Sequence, residues 1–394
     1  MSNIPKLRFP EFSGEWEEKK LSDFMTRLTR KNSNNESSRA LTISSVDGLI
    51  DQGEFFKKQI ASKDTSGYYL LKKGDFAYNK SYSVGYDYGS IKRLDRYEDG
   101  VVSTLYICMT LTSDTNSDYL TQYFDSMKWN KSVSEISAEG ARNHGLLNIP
   151  TESFFQTKHF LAPTLAEQQK IADFLSNVDS IITAETKILN ILQKKKKALM
   201  QKLFTRQLCF KSDDGTDFPE WEEKKLGECV EILDSQRKPI ESKERANRKG
   251  EYPYYGASGI IDYIDDYLFE GESILLGEDG ANIINRNSRL AFIATGKYWV
   301  NNHAHIMKAN ADNLNYFICE YLESLDYSKI CAGSAQPKLT QDVIRNLTIK
   351  APCKEEQQKI ADCLSSMDSL IQTQQKVVTT WQQRKKALLQ QMFI

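Results

Sequence analysis

The chain has 394 residues, enough for two or three domains with cores of their own, and its formal net charge of −1 does not by itself indicate a nucleic-acid partner. Seven scattered cysteines with no C-x-x-C spacing exclude a disulfide framework or a zinc knuckle and favour a reducing cytosol. The N-terminus has no apolar signal core and no stretch approaches about 18 apolar residues, so the sequence predicts a cytoplasmic protein without a membrane span.

The first variable block, about residues 21–162, has a mixed pattern that predicts an α+β domain. Strand-like alternation, turn signals and helical periodicity follow one another within it. Four segments carry these patterns: Leu41–Ile50 as a strand that turns at Asp47-Gly48, Tyr68–Asn79 as strand, turn and strand, Val101–Leu111 as a buried strand, and Asp118–Val133 as helix.

Thr164–Phe204 predicts a helix about 60 Å long. Pro163 precedes it, and Thr164-x-x-Glu167 is a capping box for its first turn. A heptad frame places apolar residues at eight of ten seam positions, as a coiled coil requires. The seam consists of Ile171, Leu175, Val178, Ile182, Glu185, Leu189, Leu192, Lys196, Leu199 and Leu203.

The same motifs recur later in the chain. WEEKKL at Trp16–Leu21 returns at Trp221–Leu226, and EQQKIADFLS at Glu167–Ser176 returns as EQQKIADCLS at Glu356–Ser365. The offsets are 205 and 189 residues, so the first variable block is 16 residues longer than the second. The chain is therefore a tandem repeat, and its second block, about Gly227–Ala351, again predicts an α+β domain.

The second predicted helix has a seam of its own, with polar breaks at the positions that correspond to those of the first. That seam consists of Ile360, Leu364, Met367, Ile371, Gln374, Val378, Trp381, Lys385, Leu388 and Met392. Two such helices bury their stripes most simply against each other. An antiparallel register with Glu185 opposite Lys385, and Lys196 opposite Gln374, avoids an unpaired buried charge, which costs a few kcal/mol.

The predicted architecture is thus α+β, with a pseudo-two-fold internal repeat. Two globular domains are separated by two long helices packed as an antiparallel coiled coil. The predicted boundaries are 1–163 for the first domain, 164–210 for the first spacer helix, 211–352 for the second domain and 353–394 for the second spacer helix.

No motif predicts catalysis. Gly74–Ser81 resembles a phosphate-binding P-loop but has Asn79 where that pattern needs glycine. No two glycines are spaced as G-x-G and no two prolines are adjacent, so the dinucleotide fingerprint and the Pro-Pro site of adenine methyltransferases are absent. The spacing of Glu17 and Lys19 favours the start of a surface helix over a nuclease metal site.

Histidines and basic runs leave two interpretations open. His144, His303 and His305 share no metal-ligand spacing, so they are either hydrogen-bonded structural residues or DNA contacts. Lys194–Lys197 and Arg384–Lys386 are either solvated helix faces or contacts to DNA phosphate, which carry no sequence information.

Two variable blocks that alternate with two near-identical helices resemble the specificity subunit, HsdS, of type I restriction–modification systems. The resemblance covers the whole chain and rests on the EQQKIAD and KKAL motifs of both helices and on GSAQPKL at Gly333–Leu339. The first block departs from the family at Gly140–Leu147, GARNHGLL, which has no direct counterpart of Gln336.

The resemblance implies a target-recognition domain in each block, one for each half of a split, asymmetric DNA site. It implies that the helices act as a spacer and as the docking surface for two modification subunits. Those partners would use S-adenosylmethionine, and restriction subunits would add ATP- and Mg-dependent translocation and cleavage. The chain would then be no enzyme by itself.

Base contacts are expected from polar side chains on the loops of the blocks, where bidentate pairing to purine edges is possible. The candidates in the first block are Asn79, Lys80, Ser81, Tyr82, Arg142, Asn143 and His144. The candidates in the second block are Asn301, Asn302, His303, Ser334, Gln336 and Lys338. Half-sites about one DNA turn apart, roughly 34–36 Å, suit a spacer of this length.

Two other functions are compatible with parts of the pattern. One is an interaction scaffold with two peptide- or protein-binding domains on a coiled-coil stalk. The other is a self-contained methyltransferase or nuclease, which the missing cofactor and metal motifs disfavour. Sequence-dependent retention of DNA in the presence of the modification subunit separates the first of these from DNA recognition.

Overall fold

The structure is a computed structural model that describes residues 3–45, 47–56, 61–83, 85–112, 114–137, 147–330 and 337–394. The chain divides into two compact units. The first unit comprises Met1–Thr186 and Lys376–Ile394, and the second unit comprises Lys187–Gln375. Each unit therefore contains one variable block and a part of each long helix.

Among its described residues, the first unit contains ten strands, and the first six helices begin in it. The strands are β1 (Glu17–Lys20), β2 (Met25–Arg27), β3 (Leu41–Ser44), β4 (Gly48–Asp51), β5 (Tyr69–Lys72), β6 (Phe76–Asn79), β7 (Ser90–Arg93), β8 (Asp99–Val102), β9 (Ile107–Leu111) and β10 (Lys158–Leu161). The helices are α1 (Leu21–Phe24), α2 (Gln52–Phe56), α3 (Ser117–Asp125), α4 (Asn130–Ile136), α5 (Thr151–Phe155) and the long α6 (Leu165–Phe204).

The second unit contains the elements that follow α6 in the chain. Its strands are β11 (Glu222–Lys225), β12 (Val230–Ile232), β13 (Lys249–Gly256), β14 (Gly259–Ile264), β15 (Phe269–Glu270), β16 (Ser273–Gly277), β17 (Ala291–Ala294), β18 (Lys297–Val300), β19 (Ala304–Ala309) and β20 (Thr348–Ala351). Its helices are α7 (Leu226–Cys229), α8 (Ser242–Asn247), α9 (Asn282–Asn285), α10 (Asn315–Ser324), α11 (Gln341–Arg345) and the long α12 (Lys354–Met392).

Each unit is built on the same four-stranded antiparallel sheet. The strand order is β2-β9-β6-β7 in the first unit and β12-β19-β16-β17 in the second. The registers also match, because Phe76 pairs with Met109 just as Ile274 pairs with Met307. The tandem repeat predicted from the motifs is therefore confirmed at the level of strand pairing.

The remaining strands differ between the units. The first unit adds the hairpin β3–β4 and the pair β5–β8, whereas the second adds a four-stranded sheet in the order β14-β13-β18-β15. In that sheet β13 and β18 run parallel and the other pairs run antiparallel. The shared framework thus carries additions that are specific to each block.

Several predicted elements are confirmed, and three are corrected. The hairpin around Asp47-Gly48 is present as β3–β4. The predicted buried strand Val101–Leu111 is two strands, β8 and β9, because a turn at residues 103–106 interrupts it. The predicted helix Asp118–Val133 is broken between α3 and α4, where Met127 adopts a φ of 62°.

The third correction concerns Glu17 and Lys19, which were expected to start a surface helix. They lie instead on strand β1, which pairs antiparallel with β10. The corresponding pair in the second unit is β11 with β20. The strand conformation follows from long-range pairing, because the short charged segment has no intrinsic preference strong enough to decide it.

In the first unit, the start of α6 and the end of α12 share the core of the variable block. Ile171 and Leu175 lie in one buried cluster with Leu389 and Met392 and with Trp16 of the WEEKKL motif. Full burial of each such side chain contributes about 1.5–3 kcal/mol. Residue numbers rise along α6 as they fall along α12, so the two helix segments pack antiparallel in this unit.

The second unit has the complementary arrangement. Met200 and Leu203 of α6 share a buried cluster with Ile360 and Leu364 of α12. The segments again run antiparallel. Every predicted seam position on α6 and α12 is buried or half-buried, as the heptad assignment predicts.

The predicted register of the helices is wrong by six residues. In the first unit Lys385 Nζ lies 2.6 Å from Asp179, not opposite Glu185. In the second unit Lys196 Nζ lies 2.6 Å from Asp368, not opposite Gln374. Each shift amounts to about 9 Å along the helix. The prediction failed because it paired only seam positions, whereas both lysines reach aspartates that flank the seam.

The start of α6 is also partly corrected. Thr164 Oγ1 accepts a hydrogen bond from the Glu167 backbone N–H at 3.2 Å, as a capping residue does. The Glu167 carboxylate instead accepts hydrogen bonds from Arg8 Nε at 2.7 Å and from Trp16 Nε1 at 3.2 Å. The motif therefore ties the WEEKKL strand to the long helix.

No helix among the described residues is long and apolar enough to cross a membrane.

Candidate nucleic-acid interface

In the second unit, three chain segments converge at one end of the central sheet. They are the turn between β18 and β19, the residues after β16, and the segment before α11. The Glu278 backbone N–H donates to His303 O at 2.9 Å, and the Leu339 N–H donates to Glu278 O at 2.8 Å. The structure therefore brings the predicted residues Asn301–His303 and Lys338 together around Glu278.

These predicted residues differ in exposure. Asn302 and His303 are exposed, and the His303 Nδ1 lies 2.8 Å from Asp279. Asn301 is only 6% exposed, and its Oδ1 accepts the His303 N–H at 2.8 Å. Asn301 therefore shapes the turn that presents its neighbours, and a base contact from it stays a prediction.

Glu278 is the centre of a charged cluster that sequence analysis missed. Its carboxylate contacts Arg237 Nη1 at 2.8 Å and Lys338 Nζ at 3.2 Å. The Arg237 guanidinium also donates to Ala304 O at 2.7 Å, at the start of β19. Glu278 thus fixes Lys338, whose side chain is 53% exposed, at the edge of the loop cluster.

His305 is a structural histidine beneath this cluster. It is 1% exposed, and its ring nitrogens lie 2.5 Å from the Asp234 carboxylate and 2.7 Å from Leu339 O. Burial raises the pKa of Asp234, but the hydrogen bonds from His305 and from the Ile306 N–H outweigh it, and the net pKa lies below the ordinary value. The interpretation of His305 as a hydrogen-bonded structural residue fits these contacts.

In the first unit, the predicted residues Asn79–Tyr82 begin at the last residue of β6 and continue into the turn after it. The Asn79 Oδ1 accepts the Ser81 N–H at 3.0 Å, which bends the chain at the end of the strand. Tyr82 is 55% exposed beyond this turn. Gly89 lies against the same turn with a φ of +78°, and a Cβ there would meet Asn79 O at 2.0 Å, so the close approach requires glycine.

Lys80 is half-buried, and burial lowers the pKa of its ammonium. Its carbonyl accepts the Leu147 N–H at 3.0 Å, the same bond that joins Leu339 to Glu278 in the second unit. Both residues stand four positions after the matched pair Phe76 and Ile274. Lys80 and Glu278 are therefore equivalent positions of the repeat with opposite charge.

Five of the predicted residues lie outside the described part of the chain. They are Arg142, Asn143, His144, Ser334 and Gln336. Their proposed base contacts stay predictions.

Each basic run of the long helices combines one buried or half-buried lysine with exposed neighbours. Lys196 is buried and Lys385 half-buried, and each is held by carboxylates within its own unit. Their neighbours Lys194, Lys195 and Lys197, and Arg384 and Lys386, are exposed. One lysine in each run is thus structural, while the others form a solvated face that phosphate could reach.

The sequence of this chain is similar to one protein family and to several relatives. The family described as "Type I restriction modification DNA specificity domain" matches residues 219–380. A putative type I restriction enzyme specificity subunit of Haemophilus influenzae is 34% identical over 38% of this chain and 38% of its own length. The putative type I restriction enzyme MjaX specificity subunit of Methanocaldococcus jannaschii is 25% identical over 98% of this chain and 95% of its own.

Two solved structures share the fold. The S subunit of a type I restriction–modification system from M. genitalium matches with a TM-score of 0.57 and 14% identity over 99% of both chains. A chain from a structure on complex assembly and conformational transition of the type I R-M system matches with a TM-score of 0.53 and 16% identity, over 97% of this chain and 98% of that one. At these identities the similarity concerns the fold.

Proposed function

We propose that this chain is a specificity subunit of a type I restriction–modification system and that its two units recognise the two halves of one split DNA target. One observation carries this proposal: the same sheet in each unit presents different side chains at equivalent loop positions, Lys80 in one and Glu278 in the other. Different side chains on one framework imply half-sites of different sequence, so the target is asymmetric.

The exposed loop residues have the chemistry that base recognition needs. Tyr82 of the first unit and Asn302 and His303 of the second are exposed, and Lys338 is held at the same edge by Glu278. Asn donates and accepts toward adenine, and Lys donates toward guanine in the major groove. These residues support direct recognition of base edges by the loops.

Two experiments test this function together. Methylation-sensitive sequencing of host DNA with and without the gene should show one bipartite, asymmetric motif that loses its modification when the gene is absent. The purified complex with modification subunits should retain a duplex with that motif and release one in which either half is scrambled. Retention of both duplexes alike, with binding to a peptide partner instead, would support the scaffold interpretation.

The long helices are proposed to dock the modification subunits. Along α6, Phe174 and Ile181 in the first unit and Ile188 and Ile191 in the second are exposed apolar side chains at heptad-like spacing. Exposed apolar residues at helical spacing form a surface for a partner helix. Ile181→Glu should therefore weaken co-purification with the modification subunit, whereas Thr183→Glu, an exposed change on another face, should not.

The catalytic cofactors are proposed to lie in the partners. Modification subunits would bind S-adenosylmethionine, restriction subunits would use ATP and Mg, and this chain would contribute recognition without catalysis. Equilibrium dialysis with S-adenosylmethionine should then show binding by the complex and none by the purified chain. Stoichiometric binding by the chain alone would contradict this division.

A further inference from the structure

A small cationic cavity opens in the first unit beside the turn that follows β6. Its volume is about 40 Å³, and it lies between the end of β2, Lys80 and the start of β9. Two cations line it, Arg27 and Lys80, and no carboxylate does. Four hydroxyl-bearing residues also line it, Tyr69, Thr104, Tyr106 and Thr151. Such a wall offers donors and positive charge, which is the chemistry of an anion site.

Both cations lack a counter-charge among the residues that the structure describes. Two other cations of this unit are paired, Arg30 with Asp75 and Lys92 with Asp125, each at 2.7 Å. Arg27 is exposed and Lys80 is half-buried. A partly desolvated ammonium without an anion is unfavourable, so Lys80 is placed for a ligand that supplies negative charge.

The second unit has different side chains at the positions equivalent to Lys80 and Arg27. The equivalent of Lys80 is Glu278, which is neutralised by Arg237 and Lys338. The equivalent of Arg27, by its pairing with the central strand, is Ile232, because Arg27 pairs with Met109 as Ile232 pairs with Met307. A pair of cations without counter-charges at this position is therefore found in the first unit and not at the equivalent positions of the second.

We propose that Arg27 and Lys80 together bind one phosphodiester of the DNA backbone in the first half-site. The proposal rests on the proposed function and deepens it. Lys80, predicted from the sequence as a base contact, then fixes the position of this unit on the duplex, and its neighbours contact the bases. The second unit has no such contact at the equivalent position.

The test measures DNA affinity of the complete complex with modification subunits between 50 and 200 mM salt. Loss of one phosphate contact lowers the slope of log affinity against log salt by about 0.9. When the salt is raised from 50 to 200 mM, the fall in affinity of Lys80→Gln and of Arg27→Gln should therefore be about 3.5-fold smaller than that of the unaltered chain. The preference for target over scrambled half-sites should stay unchanged. Lys80→Arg should restore the original slope.

The matched control is Lys73→Gln. Lys73 is an exposed lysine of the same unit whose ammonium lies 2.8 Å from Glu98, away from the cavity wall. It removes the same formal charge, so it reports the general electrostatic effect. The Arg27 side chain is exposed, so Arg27→Gln should not disturb folding. If Lys80→Gln lowers the unfolding temperature, the slope measured for Arg27→Gln therefore decides the test.

Three results would overturn the proposal. The first is a slope for both cavity variants equal to that of Lys73→Gln. The second is relaxed specificity in the first half-site with an unchanged slope, which would make Lys80 a base contact. The third is stabilisation of the DNA-free complex by inorganic phosphate that is lost in Arg27→Gln while the slope for DNA is unchanged, which would assign the cavity to a free anion. Absence of sequence preference in the unaltered complex would instead refute the proposed function.

Discussion

Lys196 of α6 lies 2.6 Å from the Asp368 carboxylate of α12, and its ammonium also lies 2.8 Å from Glu320 of α10. Lys196 is 6% exposed. One side chain thus joins both long helices to the variable block of the second unit. Lys385 makes the corresponding contact to Asp179 in the first unit, where it is less deeply buried.

Lys196→Met should destabilise the second unit by about 3–5 kcal/mol, because it leaves Asp368 and Glu320 without this buried counter-charge. Urea unfolding followed by circular dichroism, with tryptophan fluorescence as a second probe, measures the change. Lys195→Met is the matched control, since Lys195 is exposed and its loss should shift stability by no more than about 0.5 kcal/mol. Equal shifts for both variants would show that the buried contact contributes little.

Gln357 of the repeated EQQ motif should be structural. It is 1% exposed, its Oε1 accepts the Leu314 N–H at 3.0 Å, and its Nε2 donates to Pro352 O at 3.0 Å. Gln357→Leu leaves a buried donor and a buried acceptor unpaired, at a cost of about 1–3 kcal/mol each. Hydrogen exchange of the Leu314 amide should accelerate in this variant.

The adjacent Gln358 provides the control for that change. It is exposed, and its Nε2 donates to Asp362 one turn later at 2.8 Å. Gln358→Leu should leave exchange at Leu314 unchanged. Comparable acceleration in both variants would mean that the motif acts through helix stability and not through the contact to α10.

Acid should destabilise the first unit through His159. Burial lowers the pKa of His159 to about 3, from an ordinary value of 6.5. Between these values the unfolded chain binds a proton that the folded unit does not. The contribution to stability is therefore complete above pH 6.5 and is lost as the pH falls toward 3, by at most about 1.4 kcal/mol per pH unit.

His159→Gln tests this dependence. Glutamine does not titrate and can still hydrogen-bond the Tyr123 hydroxyl, which lies 2.9 Å from His159 Nδ1, and that of Thr157. The free energy of unfolding, measured from pH 7 to pH 4, should fall less steeply in the variant. Parallel curves would show that other groups account for the acid sensitivity.

Changes in exposed loop residues should affect one half-site at a time. Tyr82→Ala should reduce discrimination in the first half-site, and Asn302→Ala in the second, each by about 5–150-fold, the equivalent of about 1–3 kcal/mol. Binding of the complex to a panel of duplexes with single substitutions measures both profiles. Loss of discrimination in both half-sites from one variant would contradict the division of recognition between units.

The elements that sequence analysis predicted best are those whose pattern is local. Each long helix begins one residue after its predicted start, α12 ends two residues before its predicted end and α6 ends six residues before the predicted boundary at 210. The hairpin at Asp47-Gly48 is present. Val101–Leu111 failed because Ser103 and Thr104, the polar residues at its turn, interrupt the apolar pattern too briefly to mark a break between two strands. Glu17–Lys20 failed because its conformation depends on Lys158–Leu161, more than 130 residues away.

The candidate site was predicted less completely. Polar loop residues such as Asn302 and His303 stand out by composition, and the structure places them at the surface. Arg27 and Glu278 were missed because neither belongs to a motif. A signal was nevertheless present for Glu278, since the alignment of the two blocks sets it against Lys80.

The amino-acid sequence alone determined that this chain is a tandem repeat with two amphipathic helices and which helix positions are buried, because apolar periodicity is set by neighbours along the chain. Only the tertiary structure decided that Lys385 meets Asp179, and that Arg27 and Lys80 line one cavity. A charged side chain is stabilised by whichever partner the folded backbone brings within a few ångströms. That distance depends on contacts between segments far apart in the chain, which a linear pattern does not record.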